Sequence, residues 1–309
     1  MTAASRGGLE RARTGTLLRL RVITYVSIFG PLVGLAAAIA AAWEVGLRPA
    51  YVGAFAIMYA LGVIGITVGN HRLFSHRAFV ADPWLRALLA ILGSMSAQGS
   101  VLFWVATHRH HHKYSDVEGD SHSPNLHGSA RFPKLAGLWH AHVGWMLELD
   151  PKRSTELIQF VPDLLRDRTM LWISRTYGYW VALGIALPAA AVGLIEWSWT
   201  GVLMGALWGG LARLCASQHA TWSVNSITHM FGRRPFRTRE RSRNSALLAL
   251  PTFGEAWHNN HHAFPSSAYL GLTTWQLDPG AWFIDACRAV GWITDVHRPT
   301  EIQMSAKRD

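Results

Sequence analysis

Cysteine is nearly absent: Cys215 and Cys287 are the only two in 309 residues. Two thiols rule out a disulfide framework and any cysteine-based metal motif, and in their apolar surroundings both read as packing residues. Charge is scarce as well. Asp, Glu, Lys and Arg make up 16% of the chain against 50% hydrophobic residues, a balance that speaks for a membrane protein. Acidic residues are the rarer sign, 19 against 29 Lys and Arg, which leaves a formal net charge of +10. A basic surface suits anionic lipid, nucleic acid or an acidic protein. Fifteen tryptophans beside long apolar runs favour lipid, since indole prefers the membrane interface, and no nucleic-acid partner is expected. With no internal repeat, no low-complexity tract and no long linker, residues 1–309 read as one membrane-embedded domain.

The apolar runs set the organisation. Residues 22–43 and 51–69 are almost free of charge and reach the roughly 20 helical residues that a crossing requires. A second pair is expected at 177–195 and 199–214, the last of them short and carrying Arg213. Arg6, Arg11, Arg13, Arg19 and Arg21 precede the first run, which is too long for a signal-peptide core and reads as an uncleaved first membrane helix. The two short turns between paired helices hold only Arg48, whereas the N-terminus, the 70–175 segment and the region after 215 are rich in arginine. By the positive-inside rule both termini and the middle segment face the cytosol, in a bacterial chain at the inner membrane. A fifth apolar stretch, Trp84 to Trp104, carries Arg86 and Gln98 and is expected to lie at the interface or against the bundle without crossing. The expected fold is an all-α integral membrane protein: four transmembrane helices and a cytosolic helical cap.

The cap holds the chemistry. Nine histidines stand in four clusters: His71 and His76 in HRLFSH, His108, His111 and His112 in HRHHH, His229 in NSITH, and His258, His261 and His262 in HNNHH. Neutral imidazole binds iron, copper, nickel or zinc, and nine ligands exceed what one ion can hold, so a two-metal site follows. In HxxHH, which occurs twice, positions i, i+3 and i+4 share one helical face. Asn225, four residues ahead of His229, is placed to reach a metal directly or through water. Asp116, Glu118, Asp120 and Glu255 lie near the clusters and are candidates to accept the second N–H of ligating imidazoles. His122 and His142 rank as weaker ligand candidates, and His127, His140 and His219 as isolated histidines. Zinc has no redox chemistry, and a site at the end of an apolar bundle meets an aliphatic substrate with little to polarise. Iron and dioxygen fit that setting better.

HRLFSH, HRHHH followed by KYSD, NSITHMFG and GEAWHNNHHAFPSSA resemble the histidine boxes of the membrane fatty acid desaturases, in particular the delta-9 group that includes stearoyl-CoA desaturase, and WQLDPGAW resembles its bacterial branch. The resemblance runs from about residue 50 to about residue 296. It implies two iron ions with dioxygen as co-substrate, held by the nine named histidines with Asn225 acting through a water. It also implies a cis double bond set into a saturated C16 or C18 acyl chain, carried as a CoA thioester or in a lipid. His110 falls at a non-ligand position, and the assignment of each ligand to one iron stays open. Two of the electrons for each turnover come from outside; an HPGG-like haem motif is missing, so the resemblance implies a separate donor, a ferredoxin, a flavin-type reductase or a cytochrome b5. Arg233, Arg234, Arg237, Arg239, Arg241 and Arg243 form a basic stretch that suits such a donor, a substrate's phosphates or lipid headgroups. Ala106 and Thr107 stand where animal acyl-CoA desaturases carry an Arg-Asp pair that helps hold CoA, which weakens the CoA reading. The competing expectations are a diiron hydroxylase on the same scaffold and, from another class, a metal transporter or sensor. The transporter would need ionisable groups at the bilayer midplane, of which the expected crossings offer almost none.

Overall fold

Apolar composition turns directly into helix length. In the computed structural model, which describes residues 3–148 and 156–308, three helices are long and apolar enough to cross a membrane: Leu17–Val45, Pro49–Ser75 and Tyr177–Glu196. The first is the apolar part of α1 (Ala3–Val45); the side chains of Arg6, Arg11 and Arg13 lie outside the described residues. The second joins α2 (Pro49–Ile64) to a π-helical continuation, Gly65–Ser75. The third is α7 (Tyr177–Glu196).

The fourth expected crossing is not among these three. Its stretch begins as α8 (Trp199–Gly205), loosens into π turns over Ala206–Ala212 and tightens again as α9 (Arg213–Ser226). Arg213 is fully buried, and its guanidinium donates to the carbonyls of Gly209 at 3.0 Å and Gly184 at 2.8 Å. That binding of carbonyls is how a cation is accommodated inside an apolar bundle. At one end of the helices Arg48, in the turn after α1, pairs with Glu196, in the last turn of α7.

The Trp84 to Trp104 stretch divides into α3 (Pro83–Ser94) and α4 (Val101–Tyr114), 12 and 14 residues long. Each falls short of the roughly 20 residues of a crossing. The break between them holds two residues with positive φ, Ala97 at 53° and Gly99 at 98°, and α4 restarts on a Ser100 cap whose Oγ accepts from the Phe103 N–H. Arg86 pairs with Asp167 at 3.1 Å, and Gln98 donates to Thr221 Oγ1 at 3.2 Å, so both polar groups of this stretch have partners.

α3 packs on the π-helical end of α2 so closely that a Cβ on Gly65 would lie 2.1 Å from the Gly93 nitrogen. Around this contact lies the main core, built from Val68, Leu73, Phe74, Leu85, Leu89, Val105, Ile173 and Ile284. Each large aliphatic or aromatic side chain here stabilises the fold by about 1.5–3 kcal/mol. After α6 (Arg168–Arg175) and the long helices, the chain returns through α10 (Ala246–Ala249), α11 (His258–Ala263), α12 (Pro279–Ala289) and α13 (Glu301–Lys307). A two-residue antiparallel ladder, Val80–Ala81 with Ile293–Thr294, ties the segment after HRLFSH to the C-terminal part.

Candidate metal centre

Local structure explains the spacing of each histidine cluster. His71 and His76 are five apart, which on an α-helix places them about 140° from each other. Here the helix is π-helical, and the His76 N–H donates to the His71 carbonyl at 3.1 Å, an i to i+5 bond that brings both rings to one side. The helix that contains residues 51–69 therefore runs on into HRLFSH, as far as Ser75. In α4, His108, His111 and His112 lie at i, i+3 and i+4, and His258, His261 and His262 repeat the pattern on α11. His229 and Asn225 do not share a regular helix either. α9 ends at Ser226, with half-buried Asn225 in its last turn, and His229 stands in the turns beyond, where the Thr228 hydroxyl bonds the Val224 carbonyl.

The fold gathers all nine histidines into two groups. One holds His71, His76, His108, His112 and His261, the other His111, His229, His258 and His262, and within each group the candidate ligand atoms lie within 4.8 Å of one another. The Nε2 atoms face each other: His71 and His261 at 3.0 Å, His76 and His108 at 2.7 Å, His112 and His261 at 2.8 Å, His229 and His258 at 3.0 Å, His258 and His262 at 3.1 Å. His112 of the first group stacks on His262 of the second with ring centroids 4.5 Å apart.

Carboxylates fix the outer nitrogens. Glu255 Oε2 lies 2.5 Å from His71 Nδ1, Asp116 Oδ2 2.9 Å from His229 Nδ1, and Asp120 Oδ1 3.0 Å from His111 Nδ1. Glu240 stands 3.8 Å from His262 Nδ1. Burial raises the carboxyls of Asp116 and Asp120, but the hydrogen bonds and charge of His229 and His111 outweigh it and hold both well below the usual range. Burial and then neighbouring imidazoles push His76, His108, His112, His258, His261 and His262 well below the ordinary histidine value. Neutral rings are the metal-binding form. Burial also lowers His111, yet the Asp120 carboxylate beside it leaves the ring raised on balance.

The arrangement fits metal ions. With Nδ1–H donated to a carboxylate, the Nε2 lone pairs of His111 and His229 are left for a metal ion. Lone pairs converge stably only on a cation. Imidazole nitrogens bound to a first-row ion at about 2.0–2.1 Å stand about 3 Å apart when they subtend a right angle, close to the separations found here.

Residues outside the boxes complete the frame. Arg109, inside HRHHH, donates to the carbonyls of Phe74 at 2.6 Å, Ser75 at 3.1 Å and Phe160 at 2.8 Å, and pairs with both oxygens of Asp163. It staples the end of the π helix to α4. Arg72, 1% exposed, pairs with Asp278 at 2.8 Å and donates to the carbonyls of Ala268 and Phe253. Gly254, with φ of 97°, leaves room for this pair: a Cβ there would meet Asp278 Oδ1 at 2.2 Å.

Not every sequence candidate joins the centre. Glu118 is exposed. His122 falls outside the two large groups but forms a third candidate set with His111 and Asp120, stacking on His111 at 4.3 Å while its Nδ1 engages the Ser121 hydroxyl. His142 pairs with His219 at 2.9 Å and with Ser226, and burial followed by the charge of His219 pushes it down to about 4. His127 and His140 contact each other at 4.6 Å. Glu240 was missed because it is the lone acid in an arginine run, and that isolation was the available signal.

Residues 47–284 match the family model described as fatty acid desaturase. The chain belongs to that family. Among its relatives, a hex-5-enoyl-[acyl-carrier protein] acetylenase of Moorena producens (strain JHB) is 44% identical over 280 residues, 90% of this chain and 86% of that protein. The sn-1 stearoyl-lipid 9-desaturase of Anabaena variabilis is 35% identical over 248 residues, 80% of this chain and 84% of that protein. An acyl-CoA C20 delta5-desaturase of Anemone leveillei is 35% identical over 251 residues, 80% of this chain and 74% of that protein. The chain is thus an oxidoreductase of the fatty acid desaturase family, with membrane helices and histidine groups able to hold metal.

Proposed function

We propose that this chain is an oxygen-dependent acyl desaturase that sets a cis double bond, at the delta-9 position, into a saturated C16 or C18 chain. The nine histidines would hold two iron ions, with Asn225 contributing through a water. The observation that carries this reading is the convergence of nine imidazoles, four of them with a carboxylate beside the outer nitrogen, at the end of an apolar helical bundle. Four crossings, with residues 199–214 as the fourth, would leave both termini and the metal groups on the cytosolic side of the inner membrane, all in one domain.

Bound iron with dioxygen would supply the oxidising power. Dioxygen takes four electrons to become two waters; two leave the substrate with its two hydrogens, and two come from a separate ferredoxin, flavin-type reductase or cytochrome b5. The chain's own part is positional. Glu255, Asp116 and Asp120 orient the rings, Arg109 and Arg72 lock the helices that carry them, and the bundle excludes water from the acyl chain. These three relatives act, by their names, on carrier-protein, lipid and CoA substrates, so all three acyl carriers are retained.

The 44% identity to an acetylenase supports a second reading, removal of two further hydrogens from a chain that already holds a double bond. Expression in a host lacking its own desaturase, with fatty acids resolved by mass spectrometry in air and without it, separates the possibilities. Desaturation gives monounsaturated chains lighter than their parents by two hydrogens, in air only. A triple bond from fed alkenoate supports the second reading, a product heavier by one oxygen indicates hydroxylation, and unsaturation formed equally without air overturns an oxygen-dependent mechanism.

A further inference from the structure

The carboxylates are divided unequally between the two histidine groups. In the group of four, three outer nitrogens face one: His111 with Asp120 at 3.0 Å, His229 with Asp116 at 2.9 Å and His262 with Glu240 at 3.8 Å. In the group of five, among the described residues, only His71 does so, with Glu255 at 2.5 Å. That single carboxylate is shared: the Thr67 hydroxyl donates to it, and Arg72 Nε stands 3.7 Å away.

The three acids of the smaller group are held by neutral donors. Asp116 accepts from the Arg241 backbone N–H at 2.8 Å, the Ser123 hydroxyl at 2.5 Å and the Asn125 amide at 2.9 Å. Asp120 accepts from the backbone N–H groups of Asp116 at 2.9 Å and His122 at 3.2 Å. Glu240 accepts from Ser242, backbone and hydroxyl. Among the described residues the ion-pair partners of all three acids are histidines, not Lys or Arg. Positive φ at Asp116 (58°) and Gly119 (100°) folds the segment back so that two acids from one turn reach two different ligands.

We propose that the two metal positions are unequal: the group of four is the more electron-rich, binds metal more tightly and fills first, with Asp116 and Asp120, which accept the outer N–H of His229 and His111, as the positioning residues that make it so. A carboxylate accepting the outer N–H makes an imidazole a stronger donor, and removing such a partner typically weakens metal affinity about 10–100-fold. This inference rests on the two-metal reading above.

The test is a titration of the metal-stripped full-length protein in detergent with cobalt(II), followed by visible absorption against a competing chelator. Two phases of one equivalent each are expected. Asp120→Asn should weaken the tight phase about 10–100-fold and leave the other in place, and Glu255→Gln should do the reverse. Loading with one equivalent of iron-57 should give a single Mössbauer doublet. Monodisperse elution together with an unmoved second phase shows that Asp120→Asn folds; if that variant does not elute, Asp116→Asn, which removes the carboxylate on His229, decides in its place. One phase of two equal equivalents, or a shift of the same phase by both variants, overturns the inequality while leaving two metals standing. Absence of any binding overturns the two-metal reading with it.

Discussion

His71 and His76 are joined by one backbone hydrogen bond, from the His76 N–H to the His71 carbonyl at 3.1 Å, which closes a π turn around Arg72, Leu73, Phe74 and Ser75. The five-residue spacing is therefore a register, and its length matters more than the identity of Leu73. Deleting Leu73 should turn one ring away from the group of five. Metal per chain, measured by plasma mass spectrometry, should fall by half, with loss of product. A deletion variant that is monodisperse and still carries a full complement of metal would show that the turn has no such role.

The buried pair of Arg72 and Asp278 should matter for stability more than any surface pair. Removing one partner leaves a buried charge unanswered, at a cost of about 3–5 kcal/mol. Asp278 also caps α12 by accepting from the Ala281 N–H at 3.0 Å, so Asp278→Ala should lower the melting temperature further than Arg77→Ala, whose side chain is largely exposed. Differential scanning fluorimetry in detergent checks the order.

Asp163 gives a pH signature. Its carboxyl is raised by burial but lowered more strongly by hydrogen bonds from Arg109 and Arg77, so in the fold it titrates well below its unfolded value of about 3.9. A depressed carboxylate stabilises the fold above the unfolded value, and that contribution is lost as pH falls towards the folded one. Asp163→Asn should therefore melt below the parent protein at neutral pH, and the gap should shrink as pH drops below about 4. A gap that stays constant would mean that the carboxylate's charge is not what matters.

Metal removal should loosen the histidine-bearing helices before the long apolar ones. Ligands that bind only the folded state stabilise it by mass action, so a strong chelator should lower the melting temperature, and re-added iron(II) should restore it. Hydrogen exchange should rise first in α4 and α11, which carry six of the nine histidines. Uniform exchange across α1 and α7 would contradict that order.

Much of this centre was legible in the sequence because its signals are local. The i, i+3, i+4 spacing on α4 and α11 places rings on one face whatever surrounds them. Asp116, Asp120 and Glu255 were flagged by nearness in the chain, and the fold puts each on a ring nitrogen. The division into five and four was not legible. It mixes His108 and His112 with His261 while sending His111 to the other side, an outcome of tertiary packing. Nor was the pairing of Arg72 with Asp278, which spans 206 positions. Residues 199–214 are expected to cross on apolar composition alone, yet they are not among the three spanning helices, and hydropathy says nothing of the π turns at 206–212 or of the carbonyls that bind Arg213.

The continuity of Pro49–Ser75 has a mechanical consequence. One helix joins the apolar length from Pro49 to the end that bears His71, so a displacement of that end would carry the ring with it. The Arg109 clamp on Phe74 and Ser75 fastens the same end to α4, tying the segments that bear His71 and His108 to each other.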